Sequence, residues 1–96
     1  MAKNRIVTLH VIPITGPEYD VEVPLKNWAD KAREIVGGLL QAMPRTELHA
    51  KGIKVLADEE GRLKHLGYNL RASEKSGQSV VGTAVVLGKK DMRLWG

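Results

Sequence analysis

The stretch Arg5-Ile6-Val7-Thr8-Leu9-His10-Val11-Ile12, with Glu18-Tyr19-Asp20-Val21-Glu22-Val23 following across Pro13-Ile14-Thr15-Gly16-Pro17, decides the fold. Both outer segments alternate apolar and polar residues with a period of two, which is the pattern of half-buried strands. Val7, Leu9 and Val11 are expected on one apolar face, and Tyr19, Val21 and Val23 on the matching face of the second strand. Pro13 ends the first strand, and the Gly16-Pro17 pair supplies turn chemistry, so the two segments read as a β-hairpin.

Downstream of the hairpin the period changes to that of a helix. Leu25, Trp28, Ala29, Ala32, Ile35 and Val36 recur at i, i+3, i+4 and i+7 across charged neighbours, which predicts an amphipathic helix over Leu25 to Val36 with Trp28 as its core anchor. Pro24 and Asn27 are its start signals, and Gly37-Gly38 its stop. Further strands are expected over Leu39–Met43 and Ile53–Ala57, separated by a polar loop over Pro44–Gly52. Asp58-Glu59-Glu60-Gly61 reads as an exposed turn. Asn69 is a candidate cap for a short helical turn from Leu70 to Glu74. Gln78 to Leu87 is the most apolar run and suits a central strand buried on both faces, with Gly82 marking a bulge or a close backbone approach. The expected class is α+β: a mainly antiparallel sheet of about five strands with one amphipathic helix packed on one face, in a single small domain over residues 1–96.

Composition limits the function classes. The 96 residues include no Cys and no Phe, so the core is aliphatic, and a disulfide framework, thiolate zinc site or cysteine nucleophile is excluded. The absence of Cys fits a reducing compartment. No run approaches the ~20 apolar residues of a membrane span, and the N-terminus has no secretory h-region, so a cytoplasmic location without membrane contact is expected. The net charge of +4 is uneven: residues 1–48 hold six basic and six acidic side chains, and residues 49–96 nine and five. A basic second half suits an anionic ligand, nucleic acid or an acidic partner and excludes mimicry of DNA.

The motifs carry little chemistry. His10, His49 and His65 lack metal-ligand spacing and read as structural or surface histidines. The acidic run at Asp58-Glu59-Glu60 lacks the alternating oxygen ligands of a calcium loop. Gly88-Lys89-Lys90 lacks the spacing of a phosphate loop, and no hydroxyl lies in a nucleophile elbow. No catalytic residue, metal or cofactor is therefore expected. Lys64, Tyr68, Asn69 and Arg71, with His65 and Lys75 near them, form the candidate ligand-binding set, because ammonium, phenol, amide and guanidinium groups together suit a phosphate or nucleotide. Nucleic-acid binding through the Lys89-Lys90-Arg93 tail and inhibition of a host protein through either the edge of the first hairpin or a patch including Trp95 are the alternatives. Dimerisation would add burial that so small a chain lacks.

Val36-Gly37-Gly38 after the helix, Ile53–Ala57 leading into Asp58-Glu59-Glu60-Gly61, Leu66–Asn69 with Ala72, and Val81-Gly82-Thr83-Ala84-Val85-Val86-Leu87-Gly88 stand in a fixed order over about two thirds of the chain. That order resembles a family known mainly from bacteriophages, plasmids and other mobile elements, domain of unknown function thirty-eight forty-six. The resemblance implies a small accessory protein of a bacterial cytoplasm and no particular chemistry. It directs attention to Gly37, Gly38, Glu60, Gly61, Asn69, Gly82 and Thr83, most of them positions where backbone geometry alone explains a glycine.

Overall fold

Ala84–Leu87, four residues without a polar side chain, form the strand at the centre of the sheet, and all four are buried. The computed structural model describes residues 5–42, 54–88, 90, 91 and 94. Along these the chain runs β1 (Ile6–Ile12), β2 (Tyr19–Pro24), a 3-10 turn (Leu25–Asn27), α1 (Trp28–Val36), β3 (Leu40–Ala42), β4 (Lys54–Asp58), α2 (Leu70–Ser76) and β5 (Ala84–Leu87). The strands form one five-stranded antiparallel sheet in the order β2-β1-β5-β4-β3. The α+β class and the antiparallel five-stranded sheet expected from the pattern are both present.

Strand parity sorts the aliphatic residues into two layers. Val7, Leu9, Val11, Leu56, Val85 and Leu87 pack with Ala32 and Val36 of α1. On the opposite face Ile12, Val55, Ala57, Ala84 and Val86 pack with Ala72 of α2 and with Val80. The expectation of a helix on one face is thus extended: β4 and β5 are apolar on both sides, and a sheet of that kind needs a cover on each. The 70–76 segment, expected as a helical turn, provides the second.

Other boundaries shift for local reasons. The 78–87 run becomes a strand only from Ala84, because Gly82 adopts φ +79° and a Cβ there would lie 2.8 Å from Leu66 Cδ1. Residues 78–83 instead cross the α2 face, with Val81 bridging to Tyr68. Tyr19, expected inward, is exposed, since it lies at the hairpin end of an edge strand whose opposite end, at Val23, is the part buried in the core. Trp28 is half-buried and packs against the core from its side. Asn27 occupies the N-cap position of α1 but its side chain makes no capping bond. Gly37 ends the helix at φ +92°, donating its N–H to Arg33 O. Asp58, expected in an exposed turn, is the buried last residue of β4. The expected 44–52 loop, Met43, Ile53, His49, Lys89, Arg93 and Trp95 lie outside the described residues.

Asn69 joins the second layer to the sheet. Its side chain is wholly buried: Nδ2 donates to Ile12 O (2.8 Å) and Gly82 O (2.9 Å), while Oδ1 accepts the Ala72 N–H (3.0 Å) and so caps α2. Its backbone N–H donates to Val80 O. Asn69→Ala removes a cap and leaves two buried carbonyls without those donors, a combined cost of about 3 kcal/mol. Urea denaturation of the variant is expected to show that loss; a change below about 1 kcal/mol would mean that water or a shifted α2 replaces the amide.

Candidate functional site

The structure separates the four residues expected to bind a ligand. The Lys64 ammonium bonds Asp58 Oδ2 (2.8 Å) and the Gly37 carbonyl (3.1 Å), tying the 59–66 turn to the end of α1. Arg71 donates to Pro13 O (2.7 Å) and pairs with Glu18 (3.6 Å) at the hairpin turn. Asn69 is buried with its amide engaged as described, which corrects its assignment as a ligand contact. Tyr68 alone is exposed without a side-chain hydrogen bond among the described residues. The two cations face different partners on different elements and do not converge on a common acceptor.

A cleft of about 290 Å³ opens instead on the α2 face, at the β3 and β4 side of the sheet. Its floor is Ala57 and Val80, both buried, with Val81; its rim carries Gln41, Ser79, Leu63, Glu59 and Arg62. The turn bearing the last three is closely held: Asp58 Oδ1 accepts the Glu60 N–H (2.8 Å), Gly61 N–H donates to Asp58 O, Lys64 N–H to Glu60 O and Leu66 N–H to Gly61 O. Gly61 is closely packed here: a Cβ would lie 2.6 Å from Val81 Cγ2 and 3.3 Å from Asp58 O, so Val81 would have to shift to admit one. Arg62 makes no side-chain hydrogen bond or ion pair among the described residues, and neither does Glu59. Sequence reasoning passed over both, having placed Asp58, Glu59 and Glu60 together in one solvated turn.

A second polar cluster centres on His10. Its Nδ1 lies 2.6 Å from Asp20 Oδ1, directly across the β1–β2 pair, and its Nε2 lies 2.8 Å from Glu18 Oε1. Burial of the ring opposes its charged form, but the hydrogen bonds to Asp20 and Glu18 and the charges of both carboxylates outweigh it, so the His10 pKa is raised. Glu18 is correspondingly held below the usual carboxylate range, first by the His10 hydrogen bond and also by the charges of His10, Arg71 and Lys75, against an opposing desolvation. At Asp58 the desolvation is likewise overcome, by the Lys64 hydrogen bond, the Glu60 N–H and the Lys64 charge, and its pKa is lowered. Both arrangements are intramolecular clasps with their donors and acceptors engaged. Among the described residues no group of three His, Asp or Glu side chains is placed to hold a metal ion, and no helix is long and apolar enough to cross a membrane.

Comparison with protein-family models, with curated proteins and with solved structures finds no match. Several residues singled out by the sequence resemblance have a geometric explanation in this chain. Gly37 is a left-handed helix cap, a Cβ on Gly38 would lie 2.6 Å from Lys64 Nζ and 2.7 Å from Asp58 Oδ2, and Gly61 and Gly82 are constrained as described.

The His10 clasp gives a signed pH dependence. A raised pKa means that the clasp contributes its full stability below 6.5, the ordinary value, and loses it as pH rises through the folded-state value above that. Wild type is therefore expected to exceed His10→Gln in denaturation midpoint at pH 5.5, with the gap closing toward pH 8.5. A gap that does not change with pH would show that the imidazole is not held in its charged form.

Proposed function

We propose that this chain is a non-catalytic binding protein for a small anionic or nucleotide-like ligand, taken up in the cleft between the 59–66 turn and the 78–81 segment. The observation that carries the reading is the Arg62 guanidinium, which lines an apolar-floored cleft without a partner among the described residues. Guanidinium presents several donors in a planar fork suited to carboxylate or phosphate. A volume of about 290 Å³ lies at the lower end for ligand sites and suits one small molecule.

Six of the other nine described cations are taken up in ion pairs, and Lys26, Lys54 and Lys75 form none among the described residues. Arg5 and Lys90 pair with Asp91, Lys31 with Glu34, Arg33 with Asp30, Lys64 with Asp58, and Arg71 with Glu18. Each pair withdraws a positive charge from the field that would attract a phosphate backbone. The titratable groups with shifted pKa values are held in clasps, where they serve cohesion between elements. The accessory role implied by the sequence resemblance is compatible with such a binding protein.

The test is a panel of nucleoside monophosphates, inorganic phosphate and short carboxylates titrated into ¹⁵N-labelled protein. Resonances of Gln41, Arg62 and residues 78–81 are expected to move, and Arg62→Gln is expected to weaken the response roughly tenfold to a hundredfold, the range for a charge-assisted hydrogen bond. No shift in the cleft with any member at millimolar concentration, or shifts indifferent to Arg62→Gln, would remove the proposal.

A further inference from the structure

The cleft holds a carboxylate as well as a guanidinium that have no partner among the described residues. Glu59 and Arg62 stand three residues apart on one turn and line the same cleft, yet no ion pair joins them. The backbone of this turn is held by hydrogen bonds. Glu59 N–H donates to Leu39 O (2.8 Å), while the Asp58 carboxylate fixes the Glu60 N–H and the Gly61 N–H is bonded to Asp58 O. Asp58 itself is buried and occupied by Lys64, so it contributes no free charge. The same lining includes Ala57, Val80 and Val81, with the exposed Leu63.

A ligand bearing only negative charge would gain at Arg62 and be repelled at Glu59. A ligand with an anionic group, a cationic group and an apolar body between or beside them would gain at both and cover the floor. The geometry points to a zwitterionic small molecule with an apolar side chain, the class of a branched aliphatic amino acid, as the occupant of this cleft, with Arg62 taking its carboxylate and Glu59 its ammonium. This rests on the anion-binding reading of Arg62 and adds to it a selective role for Glu59. The amide and hydroxyl groups of Gln41 and Ser79 lie on the same lining and suit a peptide-like polar group.

Three probes of one shape separate the charge requirements: leucine (both charges), N-acetylleucine (anion only) and leucinamide (cation only), each titrated at pH 7 and followed by ¹⁵N chemical shifts. Glu59 and Arg62 are exposed, so Glu59→Gln and Arg62→Gln are expected to fold with little loss of stability. Leucine is expected to bind about tenfold more tightly than either single-charge probe. Glu59→Gln should erase its advantage over N-acetylleucine, and Arg62→Gln should weaken both. If N-acetylleucine binds as well as leucine and Glu59→Gln leaves it unchanged or tighter, the zwitterion assignment is wrong and the anion reading stands. If leucinamide equals leucine and Arg62→Gln is harmless, both fail. If none of the three perturbs the cleft, the zwitterion assignment fails, and the phosphate and nucleotide titrations decide the anion reading separately.

Discussion

The Asn69 side-chain amide is the contact on which the second half of the fold depends. An aliphatic sheet buried on both faces needs two covers, and the second, α2, has only seven residues. A helix that short is marginal by itself. The amide supplies what its length cannot, since one group caps the helix, holds the carbonyl at the end of β1 and holds the carbonyl of Gly82. Ser73 Oγ adds a bond in each direction with Val80, accepting its N–H at 2.8 Å and donating to its carbonyl at 3.2 Å. Residues 78–83 are thereby drawn across the sheet face, and the floor and one wall of the cleft follow from that path. A buried structural residue thus shapes the cleft.

Charge is organised on the same plan. Asp91 is buried beside Arg5 Nη2 (2.7 Å) and the Thr8 N–H (3.2 Å) near the start of β1, and Asp58 is buried beside Lys64 at the end of β4. Each buried carboxylate has a cation and at least one backbone N–H, which is how the cost of burying a charge is offset. Glu18 bridges His10 and Arg71, linking the hairpin to α2. Glu59 and Arg62 share a cleft and, among the described residues, neither side chain has a hydrogen-bond or ion-pair partner.

The hairpin, the helix and the antiparallel class were legible because their information is local: period-two alternation over residues 5–23, period 3.6 over 25–36, and glycines at 37 and 38. The Asn69 cap was legible for the same reason. What sequence could not show was the second layer, because α2 carries only a weak pattern and is held by contacts with residues 57 positions away, as in Asn69 to Ile12. The intramolecular partners of the candidate residues were hidden for the same reason. Lys64 and Arg71 looked like free cations because Asp58 was read as a solvated turn residue and Glu18 as part of a hairpin strand. Parity along β4, which sends Leu56 toward α1 and Asp58 to the same side, was the one signal that could have placed Asp58 under the end of that helix and released attention to Arg62.

The most direct test of the central claim, that the Arg62 cleft is where this chain meets its ligand, is chemical-shift mapping of ¹⁵N-labelled protein against a small-molecule extract of bacterial cells. The expected result is perturbation confined to Gln41, residues 57–63 and residues 78–81, and lost in Arg62→Gln. Perturbation centred on Tyr68 and Arg71, or an identical response in the variant, would contradict it.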